Sequence, residues 1–442
     1  MIRPTIPALL LMTAGLAAAL LPALVDGGLF PVWIATVTVV LFAVGADGLF
    51  GLGRRDVHVR VETPRTLYIG DADPMTVTIR PRLRTASVTA GISVEVLVEL
   101  DDLFRPIPTE SVQIAPEHET VIRLPLFPER RGTGAVRAVW LRWPGPLGLT
   151  RRQMRVAVDA DVAVVPNVRA VKAAAIRHFS SRDSMVGLRA EKFLGDGTEF
   201  DSLREYMPGF DHRAIDWKAS ARHVKLIARE YRAERNRDIV VAVDTGRLMI
   251  EPIEGVPKLD HAINAALLFA YVGLKTGDRV GLFTFDSRVR LTQPPRGGVG
   301  AFTEFRARAA GIDYSSGETN FTLSLMTLLG QLTRRTLVVL FTDFVDTVTV
   351  ELMVENLGRL ADRHLVVCVT MADPSLAAIE DLPPGDLADL TRSVIAGEIL
   401  TDREVVLQRL RRRGVHCIDA PVGTVSTRLV DRYLEIKRRE LV

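Results

Sequence analysis

Residues 7 to 48 contain no Lys or Arg, and their only acids, Asp26 and Asp47, sit at segment ends. So long an apolar run constrains the fold more than any other feature, because it must be covered by protein or by lipid. Pro7 to Val25 is about 19 residues of mainly Ala, Leu, Met and Gly, which at roughly 1.5 Å per residue reaches about 28 Å, close to a bilayer's hydrocarbon thickness. Phe30 to Ala46 is a second such stretch, and Asp26-Gly27-Gly28 between them suffices only for a tight turn. A cleaved signal peptide would explain the first stretch, since small residues follow a single Arg; the second run argues against it. Arg3 precedes the pair, Arg54 and Arg55 follow it, and the turn carries no cation. The positive-inside rule then puts both termini and the bulk of the chain in the cytosol. Residues 1–53 are accordingly expected to form a transmembrane helical hairpin, with helices about 7–25 and 30–48.

The remaining chain is too long for one core within its 442 residues, so further domains are expected. Residues 54–166 read as short alternating segments ("VHVRVE", "MTVTIR", "SVEVLVEL", "GAVRAVWLRW") separated by Pro, Gly and Asp, the pattern of an immunoglobulin-like β-sandwich. Residues 167–237 are basic and polar. From 238 to 442 apolar strands without alternation are separated by helices, which predicts a doubly wound α/β domain with a parallel sheet covered on both faces. Strands are expected at Asp238–Asp244, in "RVGLFTF", at Thr336–Phe341, His364–Thr370 and Val415–Ile418. Helices are expected in "KLDHAINAALLFAYVGLKTG", over Phe321–Leu332, near Val350–Ala361, over Arg403–Arg412 and from about Ser426. Cys368 and Cys417, the only cysteines, lie in apolar runs and read as buried small hydrophobes, which suits a reducing compartment. The net charge of +3 gives no reason to expect nucleic acid.

Ligands on such sheets sit beyond the strand C-termini, and two strands end alike: "VVAVDTGRLM" delivers Asp244 and "LVVLFTDFVD" delivers Asp343. Converging carboxylates, completed by a hydroxyl such as that of Thr319 and by water, suit Mg²⁺ or another hard cation. Helix capping is the competing role, because an acid after a strand commonly accepts backbone N–H bonds. Phosphate loops, nucleophile elbows and His-Glu-x-x-His pairs are absent from the sequence, and the histidines are scattered. No catalytic residues are therefore expected.

The motifs "RRGTGAVRAVWLRWPGPLGL", "GTEFDSLREYMPGFDHRAIDWKASARHVKLIAREYRAERN", "GDRVGLFTFD", "TDFVD" and "DRHLVVCVTMADP" resemble, in order and spacing, the domain of unknown function fifty-eight family. The resemblance implies a membrane-anchored protein whose C-terminal part is similar to von Willebrand factor A domains. In those domains a metal-ion-dependent adhesion site uses Asp-x-Ser-x-Ser, a later Thr and a later Asp. Asp244, Thr319 and Asp343 match three of these roles, while Gly246 and Leu248 stand where the two hydroxyls belong. The implied site is thus degenerate, and either no cofactor or Mg²⁺ remains open. The resemblance also implies a MoxR-type AAA+ ATPase as partner, with membrane lipid contacted through the hairpin. Arg204, Tyr206, Asp211, Arg213, Asp216, Trp217, Lys218 and Arg222 form the least generic passage. They read either as a salt-bridged face with Trp217 and Tyr206 as packing anchors, or as a protein-docking surface. The expected output is binding by a non-enzymatic adaptor. A structural envelope factor self-associating through small residues such as Gly15 and Ala19 is one alternative, and a metal-dependent hydrolase is another.

Overall fold

The computed structural model describes residues 2–18, 30–81, 91–115, 118–169, 194–206, 215–223, 225–232, 237–298, 300–344, 347–381, 383 and 385–439, with the backbone alone at 2, 194–202, 204, 223, 229–232 and 347–349. The chain divides into two compact units, Met1–Val165 and Pro166–Val442.

The first unit holds β1 (Ile2–Pro4), α1 (Ile6–Ala17), α2 (Phe30–Phe50), β2 (Val57–Glu62), β3 (Thr66–Tyr68), β4 (Asp73–Pro81), β5 (Ile92–Leu100), β6 (Glu110–Ile114), β7 (Thr120–Leu126), β8 (Gly132–Pro144) and β9 (Thr150–Val165). Helix α2, at 21 residues, is about 32 Å long, long and apolar enough to cross a membrane. Its side chains are scarcely covered: Phe42 is 76% exposed. α1 is described over 12 residues, and the rest of the expected first span falls mostly outside the described residues. The two helices touch where the Trp33 indole N–H donates to the Gly15 carbonyl at 2.8 Å.

Asp47 is 1% exposed, and a buried carboxylate must find donors. It accepts from Leu147 N at 2.5 Å, Thr150 N at 2.6 Å and Thr150 Oγ1 at 2.8 Å. The Arg152 guanidinium donates to the carbonyls of Gly48 and Leu52, two acceptors at and beyond the helix end that the helix itself leaves open. The last turn of α2 is therefore latched to the β8–β9 turn. β1 pairs with β9 through Arg3↔Arg151, so the segment before α1 joins the same strand. The sequence reading treats residues 2–4 only as a flank.

One sheet runs β1-β9-β8-β5-β6 with β3 on β9, and a second runs β2-β4-β7. Alternation does the sorting: Met75, Val77 and Ile79 of β4 point inward and are buried. Ile79 of one sheet and Val94, Leu141 and Trp143 of the other line one small internal space, so both sheets bury a common core.

In the second unit β10 (Leu194–Glu205) and β11 (Ile227–Arg232) form an antiparallel ribbon with α3 (Trp217–His223) between them. The α/β part follows as β12 (Asp238–Asp244), β13 (Pro252–Ile253), β14 (Val256–Pro257), α4 (Lys258–Lys275), β15 (Arg279–Phe285), β16 (Val289–Arg296), α5 (Ala301–Ala310), α6 (Phe321–Gln331), β17 (Leu337–Phe341), α7 (Thr347–Ala361), β18 (Leu365–Ala372), α8 (Pro374–Asp381), α9 (Leu387–Arg412), β19 (His416–Pro421) and α10 (Val422–Arg438). The sheet order is β16-β15-β12-β17-β18-β19, parallel except for the edge strand β16. Every residue of β12 and β17 is buried, as a strand covered on both faces requires. Leu259, Phe269, Leu429 and Tyr433 cover one face; Phe321, Met353, Leu357 and Leu407 cover the other.

Two boundaries differ from the sequence reading. α10 begins at Val422 rather than near Ser426, and the helix expected at Arg403–Arg412 starts back at Leu387. The added turns of α9 carry Leu387 and Val394 exposed, so no core-facing stripe marks them.

Candidate functional site

The parallel strands deliver acids to one end of the sheet. Asp244 closes β12, Asp286 follows β15 and Asp343 follows β17, three neighbouring strands. Asp244 is 1% exposed. Its Oδ1 accepts from Gly246 N at 2.9 Å and Thr319 Oγ1 at 2.7 Å, and its Oδ2 accepts from Thr342 Oγ1 at 2.7 Å. Burial pushes its pKa up to about 6, even though the Gly246 amide and the two threonine hydroxyls favour the charged form.

Asp343, equally buried, is held by charge. Lys258 Nζ lies 2.6 Å from its Oδ2 and Arg403 Nη1 lies 2.6 Å from its Oδ1. Lys258 opens α4 and also reaches Glu251 Oε2 at 2.8 Å. Arg403, from the middle of α9, bridges on to Asp419 at 3.0 Å and the Met371 carbonyl at 2.9 Å. Burial alone would lower the pKa of both bases; the facing carboxylates outweigh it, and both are raised. Asp286 pairs with Arg290 at 2.6 Å. Burial pushes its pKa up, but the Arg290 hydrogen bond and further donors win and bring it down to about 2.

The structure thus brings Asp244 and Thr319 into direct contact and sets Asp343 beside them on the adjoining strand. Asp343 caps no helix through its side chain among the described contacts; it receives two cations. Gly246 and Leu248 offer no hydroxyl. A Cβ placed on Gly246 would overlap Thr319 Oγ1, so Thr319 fills the space a serine side chain would need. As arranged, the donor set does not fit a divalent cation. Each oxygen of Asp244 and Asp343 already accepts from a protein donor, and among the described residues no three acidic, His or Cys side chains gather as a metal cluster.

Asp286, Lys258 and Arg403 escaped the sequence reading. Only Lys258 carried a local sign: a base opening an apolar helix faces the positive end of the dipole and needs a nearby acceptor. In the basic passage, Asp216 caps α3 by accepting from Lys218 N and Ala219 N, each at 3.0 Å. Trp217 is 70% exposed, with Lys218 and Arg222 also exposed, so Trp217 is not a packing anchor. Tyr206 is half-buried, its amide bonded to the Leu226 carbonyl. Arg204 lies on β10 opposite Ala228. Asp211 and Arg213 lie outside the described residues. Both cysteines are free, and burial pushes the Cys417 thiol up to about 11, which leaves it unreactive.

Sheet order and the acids at its C-terminal end together define a doubly wound α/β domain, the class that the resemblance to von Willebrand factor A domains implies. Residues 202–417 match the family described as protein of unknown function DUF58. An uncharacterized protein of Mycobacterium bovis is 25% identical over 203 residues, 46% of this chain and 63% of that protein, and uncharacterized proteins of two Mycobacterium tuberculosis strains match to the same extent. The match therefore spans less than two thirds of these relatives. Among solved structures, the conserved hypothetical protein BatB from Bacteroides thetaiotaomicron is similar over 46% of this chain and 99% of its own, at TM-score 0.31 and 12% identity. The SpRpn10 VWA domain is similar over 44% of this chain and 94% of its own, at TM-score 0.29 and 11% identity.

Proposed function

We propose that the chain is a non-enzymatic, membrane-anchored adaptor or scaffold. In this reading the N-terminal segment is a two-helix hairpin with both ends on the cytosolic side, followed by an immunoglobulin-like sandwich. The upper end of the α/β sheet, a degenerate adhesion site, receives a MoxR-type AAA+ ATPase or its client. The observation that carries the proposal is the engagement of every oxygen of Asp244 and Asp343 by protein donors. A hydrolase built here would need a carboxylate free to activate water. Around the buried cluster, Arg247, Ser316 and Glu318 are exposed and give a partner a polar rim.

The envelope-scaffold reading draws less support. The Cβ position of Gly15 faces Val37 and its carbonyl accepts from Trp33, so this small residue is already used within the chain; Ala19 lies outside the described residues. The test is affinity capture of the detergent-solubilised full chain, wild type against Arg247→Glu with Glu318→Lys. Recovery of an AAA+ ATPase by wild type and its loss in the double variant is expected. Absence of any ATPase, with self-association instead, would overturn the adaptor reading in favour of the scaffold.

A further inference from the structure

The fold class provides for a divalent cation at the upper end of the sheet, and the side chains there are arranged against one. We propose that Lys258 is the resident cation: its ammonium holds the carboxylate that a divalent ion would hold, and this end of the domain is assembled and works without metal. The inference concerns the site itself and stands whichever partner binds there.

Three independent features point the same way. First, the ammonium is coordinated much as an ion would be, by carboxylates from two separate segments: Asp343 Oδ2 at 2.6 Å and Glu251 Oε2 at 2.8 Å, with the Lys258 side chain 9% exposed. A lysine is driven so deep only where paired acids compensate for its lost hydration. Second, the remaining oxygen of Asp343 is closed by Arg403, which is fixed from behind by Asp419 and the Met371 carbonyl. A divalent ion at Asp343 would lie within a few ångströms of two immobile positive charges, in surroundings that screen them poorly. Third, the hydroxyls are committed. Gly246 and Leu248 supply none, and the two that are present, on Thr319 and Thr342, are fixed in orientation by donating to Asp244. Thr319 could not give way to a serine at 246 without moving, because a Cβ there overlaps its Oγ1. The missing hydroxyls and the ammonium fit one another: without Lys258 the end of the sheet would be short of donors, and with a metal beside it the site would be overcharged.

Mn²⁺ titrated into the detergent-solubilised full chain and followed by electron paramagnetic resonance tests this, alongside thermal unfolding in EDTA and in excess magnesium. For wild type, the free-ion signal is expected to grow in proportion to added Mn²⁺, and the unfolding midpoint to be the same in both buffers. Lys258→Ala leaves Asp343 and Glu251 facing a vacated space; it is expected to unfold earlier in EDTA, to recover in magnesium, and to bind Mn²⁺ at least roughly tenfold tighter than wild type. Lys258→Arg keeps the charge and is expected to stay blind to Mn²⁺, which separates charge from volume should the alanine variant fail to fold. Stoichiometric Mn²⁺ uptake by wild type would overturn the proposal. So would an alanine variant that folds as stably as wild type and gains no affinity for Mn²⁺.

Discussion

Asp244 and Asp343 close neighbouring strands of one sheet, both almost wholly buried, and the protein treats them in opposite ways. Asp244 is surrounded by neutral donors, an amide and two hydroxyls, and burial drives its pKa up to about 6. Asp343 is clasped by an ammonium and a guanidinium brought from α4 and α9. The same residue type at the same topological position is thus a hydrogen-bond hub in one case and the centre of an ion cluster in the other. Strand register delivers the carboxylate, but the elements packed against the strand end decide its charge and hence what it can bind.

The comparison is broken most forcefully by removing a cation. Arg403→Ala would leave buried Asp343 and half-buried Asp419 with one compensating charge between them, and losing one partner of a buried pair costs about 3–5 kcal/mol. Urea unfolding of the full chain is expected to show that loss at neutral pH. Arg403→Lys should recover only part of it, since a single ammonium cannot bridge Asp343, Asp419 and the Met371 carbonyl together. A loss below about 1 kcal/mol would mean that the two acids are held more alike than their partners suggest.

The hydroxyl-held acid should show itself through pH. Unfolded, Asp244 titrates near 4; folded, near 6. Between those values the native state keeps a proton that the unfolded chain has released. The associated stability is complete below about pH 4, falls as pH rises toward 6 and is flat above it, a change of about 3 kcal/mol. Asp244→Asn keeps an acceptor for Gly246 and Thr319 while abolishing the ionisation. Its stability curve is expected to lack this slope and to lie above wild type at neutral pH. Parallel curves from pH 4 to 7 would place the titration elsewhere.

How much of this was legible beforehand follows from the range of each signal. β12 and β17 are unbroken apolar runs, and an acid after such a run is visible in any linear reading; so is Thr319 once the loop before a helix is in view. The clasp is not. Lys258 and Arg403 lie 85 and 60 residues from Asp343 along the chain; Arg403 sits among other charged residues of its helix, and Lys258, though unusual at a helix start, gives no sign of which acid it meets. Only the three-layer packing brings them to one carboxylate. Asp47 teaches the same lesson in the first unit: an acid ending an apolar helix is obvious in the sequence, whereas its acceptor role at Leu147 and Thr150 depends on a turn a hundred residues away. The half of α9 before Arg403 stayed hidden because Leu387, Leu390, Val394 and Ile395 are exposed, which breaks any core-facing stripe.

The smallest expected effect tests whether the hydroxyl-held site is sterically closed to repair. Gly246 has φ −67° and ψ 176°, an extended conformation open to any residue, so backbone strain gives no reason for glycine. The reason is Thr319, whose Oγ1 a Cβ at 246 would overlap. Gly246→Ala should therefore cost about 2 kcal/mol, the ordinary penalty of forcing a methyl into packed space, and Thr319→Ser alone about 1 kcal/mol or less. Ser keeps the donor but frees the volume of a methyl and lets the hydroxyl swing aside, so the double variant should cost less than the sum. A coupling near 1 kcal/mol in a double-mutant cycle would identify the overlap as the cause. Strict additivity would assign the glycine to Asp244 Oδ1 and the Gly317 carbonyl, the other groups near that Cβ, and Thr319 would then play no part in closing the site.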